Sequence, residues 1–219
     1  MTEPSGGPSR PKRPVAVPVA GLLIVTVVGI VALLGGLEEV DVPPKPLSQG
    51  AVLDQGLYST KFAEARVTVE KGQQTWEEDK RFVEMVFEVT NRGDETTNVG
   101  MPPAKPDQLS LGYGFAGSLL KISPAIKEGK GPFVFALSSE DQTSQLHPGL
   151  TTKVIVRFRL DPGEQPPEQV TLDVASFEYA PGFQDETVRW QMVSEPAGEK
   201  FVPTVQARVT LPVKAGGTA

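Results

Sequence analysis

The residues able to do chemistry in this chain are few, and most are acids. Asp and Glu number 27 among 219 residues, so the paired carboxylates of a glycoside hydrolase are the first reaction to test, one carboxyl acting as acid and the other as base or nucleophile. The densest acidic groups are Glu77, Glu78 and Asp79 in TWEEDKR, and Glu140 and Asp141 in SSEDQ. Both sit side by side in polar segments, where acids are ordinarily solvated turn residues; catalytic pairs come from separate strands. Calcium requires oxygen ligands on alternate positions of a loop, as in D-x-D-x-D-G, and no such run occurs. EGKGP at residues 128–132 lacks the G-x-x-x-x-G-K-[ST] spacing of a phosphate-binding loop.

Nitrogen and sulfur chemistry is narrower still. The absence of Cys removes disulfide scaffolds, thiolate metal sites, thiol nucleophiles and a lipid-modified N-terminal Cys together. Every His-dependent mechanism has to run through His147 in QLHPGL, which precedes a proline and a turn, the place of a structural or solvent-exposed His. A Ser-Lys dyad needs no His, but nothing around Ser48, Ser110, Ser118, Ser123 or Ser138 singles one out. No catalytic residue, cofactor site or metal ligand is therefore assigned, and the expectation is a protein that is not an enzyme.

Binding has better material, in the aromatic residues. LGYGFAG at residues 111–117 places Tyr113 and Phe115 between glycines, and Trp76 and Phe183 fall in turns. Loop aromatics are contact anchors when exposed; the competing expectation is that each ring folds back onto the rim of the core. Three of the four exposed on one face would mark an interaction surface.

The elements that must position these residues are strands. In residues 82–90, FVEMVFEVT, Val83, Met85, Phe87 and Val89 share one face while Glu84 and Glu88 mark the other, the alternation of a half-buried strand. In residues 152–160, TKVIVRFRL, Val154, Val156, Phe158 and Leu160 oppose Lys153, Arg157 and Arg159; in residues 205–213, VQARVTLPV, Val205, Ala207, Val209 and Leu211 oppose Gln206, Arg208 and Thr210. Weaker runs at 62–69, 109–111, 119–122, 133–137, 170–179 and 187–193 bring the expected total to about nine strands. The segments NRGDETTN, DPGEQPPEQ and APGFQDE carry the turn residues between them. Short strands with one wet face need a second sheet over the dry one, so the expected fold is an all-β antiparallel sandwich spanning residues 47–213.

Before that domain, Pro14 to Leu37 contains no charged residue and is long enough to cross a bilayer. Residues 15–37 read as a transmembrane helix, an uncleaved signal-anchor: the apolar run exceeds that of a secretory signal, and a cut after Gly35 or Gly36 would put bulky Leu33 or Leu34 at the third position back,. Arg10, Lys12 and Arg13 precede the run and Glu38, Glu39 and Asp41 follow it, which keeps the N-terminus cytoplasmic and the remainder extracytoplasmic. Residues 1–14 form a disordered cytoplasmic tail, 38–46 a proline-rich spacer and 214–219 a disordered C-terminal tail. With the tail's three basic residues and one acid set aside, 18 basic and 26 acidic residues remain, net −8. That acidity disfavours nucleic acid and anionic lipid as partners.

Two segments resemble a known family. FVEMVFEVTNRGDETTNV at 82–99 resembles the V-x-V-x-N-x-G opening of immunoglobulin-like domains of bacterial extracytoplasmic proteins, including a domain of unknown function on membrane-anchored proteins and lipoproteins. LHPGLTTKVIVRFRLDPG at 146–163 resembles their later P-G-x-x-x-x-x-V-x-F-x-V-P element. The resemblance runs from about Gly50 to Tyr179. The chain departs from it in lacking the lipid-attachment Cys and in carrying strands from Thr187 onward. It implies an immunoglobulin-like β-sandwich with a binding or assembly role towards a protein or cell-envelope component, and no catalytic residues to carry over. An accessory subunit of a membrane complex, touching neighbours through Ala20, Gly21, Gly29 and Ala32 of the helix, and a cell-envelope hydrolase are the alternatives. If the two segments pair in one sheet, their outer faces set Glu84 and Glu88 against Lys153, Arg157 and Arg159.

Overall fold

The computed structural model describes residues 43–72, 74, 76–105, 114–138, 141–182, 186–198 and 200–216. The chain divides into two units, Met1–Pro43 and Pro44–Ala219. The cytoplasmic tail, the transmembrane helix and all but the last residues of the spacer, as anticipated from sequence, lie outside the described residues, among which no helix is long and apolar enough to cross a membrane.

The second unit is built of strands. In chain order they are β1 (Lys45–Ser48), β2 (Val52–Asp54), β3 (Tyr58–Glu70), β4 (Lys80–Asn91), β5 (Thr97–Asn98), β6 (Leu119–Ser123), β7 (Phe133–Ser138) and β8 (Asp141–Thr143). There follow β9 (Gln145–Leu146), β10 (Thr151–Arg159), β11 (Gln169–Val174), β12 (Phe177–Pro181), β13 (Val188–Met192), β14 (Ser194–Ala197), β15 (Lys200–Pro203) and β16 (Ala207–Lys214). A single 3-10 turn, Phe115–Ser118, is the helical element among the described residues. The anticipated 170–179 strand is two, β11 and β12, separated by Ala175 and Ser176. The 109–111 run lies outside the described residues.

One hydrogen-bonded path runs β6-β11-β16-β3-β4-β10-β7-β8, with β1 on β16 and β2 on β3. The expectation of purely antiparallel pairing is corrected here: β1 runs parallel to β16, and the last residues of β16 run parallel to β3 at Val213 and Lys214. β16 thus belongs to both halves of the path. Its first residues lie between β1 and β11, and its end joins the half built on β3 and β4. Alternation explains why both halves share one core. Leu172, Val209 and Leu211 from one, and Phe62, Met85, Phe87 and Val154 from the other, are members of a single buried cluster. Phe115, just before β6, closes it with its ring centroid 5.4 Å from that of Phe87 and 6.0 Å from that of Tyr58, both edge-on. Such contacts add about 0.5–1.5 kcal/mol beyond burial alone.

The charge register anticipated from the two alternating segments is present. β4 and β10 are antiparallel, with Glu84 opposite Arg157 and Glu88 opposite Lys153. Glu84 is nevertheless buried, its side chain 8% exposed. Arg66 of β3 lies 3.4 Å from it on one side and Arg157 of β10 3.6 Å on the other. Arg157 also reaches Glu70 at 3.3 Å and stacks over the Phe82 ring at 4.2 Å, so the guanidinium shields the carboxylate and an aromatic face at once. Glu88 takes Lys61 of β3 as its ion-pair partner, at 3.1 Å.

Arg157→Met and Glu84→Gln should each destabilise the fold, while the double variant loses less than the sum, the coupling being about 1 kcal/mol. Strictly additive losses in a denaturant double-mutant cycle would reject the pairing.

Candidate functional site

A polar-rimmed opening lies where β4 ends, beside the β12-β13 hairpin. It is a cleft of about 740 Å³, walled on one side by residues 93–98 with Gly100 and Gly114, and on the other by Tyr179, Val188, Arg189 and Trp190, with Leu57 at its base.

The hairpin supplies the aromatic wall through its register. Phe177 pairs with Met192, Tyr179 with Trp190 and Pro181 with Val188. Side chains two apart share a face, so this one face passes from core to solvent. Phe177 and Met192 are 4% and 9% exposed, whereas Tyr179 and Val188 are 62% and 45% exposed. Tyr179 and Trp190 lie 5.3 Å apart with their rings inclined at 53°. The root is fixed by the β2-β3 loop, where the Phe177 amide donates to the Gln55 carbonyl at 2.7 Å. Only glycine fits at position 56 there: its φ is +80°, and a Cβ would overlap the Phe177 carbonyl and approach the Trp190 ring to 3.3 Å,. Asp54 holds that turn by accepting the Gly56 amide at 2.9 Å and pairing with Arg92. The Gly56 amide first, and the Arg92 side chain second, hold the Asp54 carboxyl below its ordinary range,.

The opposite wall is organised by a buried asparagine. Asn91, with no exposed surface, donates from Nδ2 to the carbonyls of Glu95 at 2.8 Å and Leu146 at 2.9 Å, and its Oδ1 accepts the Gly93 amide at 2.9 Å. One side chain thereby closes the loop and ties it to the strand preceding His147. Thr97 accepts the Tyr58 hydroxyl at 2.9 Å, and Thr96 is 2.9 Å from His147 Nδ1. Burial pushes the Tyr58 hydroxyl up to about 12, against the smaller opposing effect of its bond to Thr97. Asp94 and Glu95 are the cleft's two carboxylates, and both are exposed neighbours on one loop. Among the described residues no group of three or more His, Asp or Glu is placed to hold a metal ion.

The aromatic residues singled out in the sequence are not brought together. Trp76 is 82% exposed in the turn between β3 and β4, at the opposite end of those strands from the cleft. Phe115 is a correction: it is completely buried against Tyr58 and Phe87 and offers no contact surface. The physical reason is that Gly114, where a Cβ would lie 2.6 Å from the Asn98 carbonyl oxygen and from Gly100 Cα, lets the backbone pack closely against residues 98–100, and the Phe115 ring gains more by joining the buried cluster than by facing water,. Tyr113 and Phe183 lie outside the described residues. His147 is exposed and hydrogen-bonded to Thr96. The residues missed are Tyr179, Val188 and Trp190. Their signal was an apolar face continuing through both strands that flank APGFQDE, which period-two reading assigns to the core. A second, more apolar groove of about 570 Å³ runs beside β6, lined by Met101, Leu120, Ile122, Ile126 and Pro132 among others.

No protein-family model, characterised protein or solved structure matches the chain.

Asn91→Ala should cost about 2–4 kcal/mol, because the Leu146 carbonyl loses a buried donor at about 1–3 kcal/mol and the partly buried bond to the Glu95 carbonyl, an ordinary one, is lost at about 1 kcal/mol,. Hydrogen exchange at Gly93 should speed up more than at strand β10, and an unchanged Gly93 rate would show that the loop does not depend on the asparagine. Tyr58 gives a pH signature. Its folded value lies above its unfolded value of 10.0, so the stability tied to its neutral form is complete below pH 10 and is lost as pH rises towards about 12. Tyr58→Phe should abolish this alkaline loss in chemical denaturation; persistence of the loss would assign it to another group.

Proposed function

We propose that this chain is a single-pass, membrane-anchored binding or assembly module, without catalysis, whose folded part is an immunoglobulin-like β-sandwich held on the extracytoplasmic side by residues 15–37. Its contact surface is the end that carries the cleft. The observation carrying this reading is the graded hairpin: an apolar face whose root is locked into the core and whose tip exposes Tyr179 and Val188 to solvent. A rigid aromatic surface binds without the ordering cost that a flexible loop incurs. Support for the architecture comes from the two half-sheets that share one core and from the register of β4 with β10. Support for the anchor comes from the uncharged run between Pro14 and Leu37 and the charges on its flanks,. The partner class is a protein or cell-envelope component.

A photoreactive side chain placed at Tyr179 in the full chain should form adducts in native membranes, whereas one at Trp76 should not. Adding Val188→Ala beside the probe should lower the yield severalfold with the β-sheet circular dichroism unchanged. Equal yields at both positions would sink the reading of the hairpin end as the contact surface. Protease added outside intact cells should degrade the folded part, and resistance to it would overturn the topology.

A further inference from the structure

The place at which the chain enters the folded unit fixes which of its ends is tethered. Lys45 opens β1 opposite Ala207, and its amide donates to the Gln206 carbonyl at 3.1 Å. The Gln206 amide donates in turn to Val174 at 2.8 Å, so entry lies where β11 ends and β16 begins. The Gln206 side chain reaches the Asp54 carbonyl at 3.1 Å, Asp54 pairs with Arg92, and the neighbouring Asn91 carbonyl accepts the Gly149 amide at 2.8 Å. β14 and β15 pair as a hairpin rooted at the same place, the Val193 amide donating to the Ser176 carbonyl and the Thr204 amide to the Val193 carbonyl, each at 2.9 Å. Entry, the β12-β13 and β14-β15 hairpins, the cleft and the turn before β10 therefore share one end.

The exposed apolar side chains are concentrated there. Eight large ones are exposed among the described residues, and Leu150, Tyr179, Val188 and Phe201, half of them, belong to this end. Trp76 lies beyond the other end of β3 and β4, which pair from Tyr58 opposite Asn91 to Glu70 opposite Lys80; 13 residues of strand place it about 40 Å away,. Charges at the hairpin end are mixed: Asp94, Glu95, Glu178 and Glu195 against Arg92, Arg189 and Lys200. That is a poor match for a strongly charged partner, whereas Tyr and Trp, with apolar bodies and polar tips, suit the headgroup layer of a bilayer. Seven peptide steps separate Leu37 from Pro44, a reach of at most about 25 Å, so a chain anchored by residues 15–37 keeps this end beside lipid at high effective concentration.

We infer that the hairpin end, led by Tyr179, Val188 and Trp190, rests on the lipid headgroup interface of the membrane in which the chain is anchored, as a second attachment that sets the tilt of the folded unit. This rests on the membrane-anchor reading above and names the envelope component as lipid.

The absence of Cys from the chain makes single-site labelling direct. Val188→Cys and Trp76→Cys replace exposed side chains. Each full-length variant would carry a polarity-sensitive thiol dye and be reconstituted into phosphatidylcholine vesicles with and without a nitroxide at the headgroup. Flotation reports the anchor, and quenching reports the docking. The expected result is flotation of both variants, with a blue-shifted, lipid-quenched dye at position 188 and an unshifted, unquenched dye at position 76, unchanged in high salt because surface charge is not the attraction. Flotation with the two dyes behaving alike would overturn the docking and leave the anchor standing. A blue shift at position 188 without quenching would overturn it in favour of a second copy of the chain as the cover. Failure to float would overturn the anchor and the docking with it.

Discussion

The structure depends on a glutamine. Gln55 has no exposed surface, yet its side chain makes three hydrogen bonds: Nε2 donates to Ser118 Oγ at 2.9 Å and to the Ala175 carbonyl at 2.7 Å, while Oε1 accepts the Thr60 hydroxyl at 2.6 Å. Its backbone amide donates to Tyr58 and its carbonyl accepts the Phe177 amide. These partners come from β3, from the turn before β6 and from the junction of β11 and β12, so one residue joins the two halves of the path. A buried amide left unpaired costs a few kcal/mol. The loop between β2 and β3 therefore reaches its native form only when both halves are in place, and the same loop fixes the root of the aromatic hairpin. Core and candidate site are accordingly one cooperative arrangement, with the hairpin tip as its exposed margin.

Much of the fold was legible because strand periodicity is local. The inward set Val83, Met85, Phe87 and Val89, and its counterparts in β10 and β16, are buried as alternation demands. The opposed charges on β4 and β10 also anticipated that these outer faces would meet if the strands paired, since like charges opposite one another are unfavourable and these are complementary; Glu84 and Glu88 face Arg157 and Lys153, while Arg159 lies opposite Phe82. What alternation leaves out is everything set by a third strand. Glu84 reads as a solvated outer residue from β4 alone; it is buried because Arg66 and Arg157 arrive from either side. The parallel placing of β1 and of the end of β16 depends on partners far away in sequence. Gln55 carries no local signal, as its role exists only where three remote segments meet.

The candidate site was less legible for a related reason. Phe115 between glycines and Tyr179 within a strand invite opposite readings, exposed and buried, and each is reversed in the fold. Local sequence reports how freely the backbone can turn and which face a side chain joins. It does not report how far a strand pair extends past the core. β12 and β13 leave the core beyond Phe177 and Met192, so an apolar pattern that means burial at their root means exposure at Tyr179 and Val188.

The contrast with the broad outer face of the β3-β4-β10 sheet explains why contact is assigned to the hairpin end. On that face Arg157 is engaged by Glu84, Glu70 and the Phe82 ring, and Lys61 by Glu88. The central apolar residues Val86 and Ile155 are 4% and 5% exposed, covered by the surrounding side chains. A partner docking there would have to desolvate charges already paired and would uncover little new apolar area, which offsets most of the gain from burial. At the hairpin end the balance reverses: Tyr179 and Val188 expose apolar surface on a pre-formed, core-anchored element, so water released from them is gained without breaking an ion pair or ordering a loop.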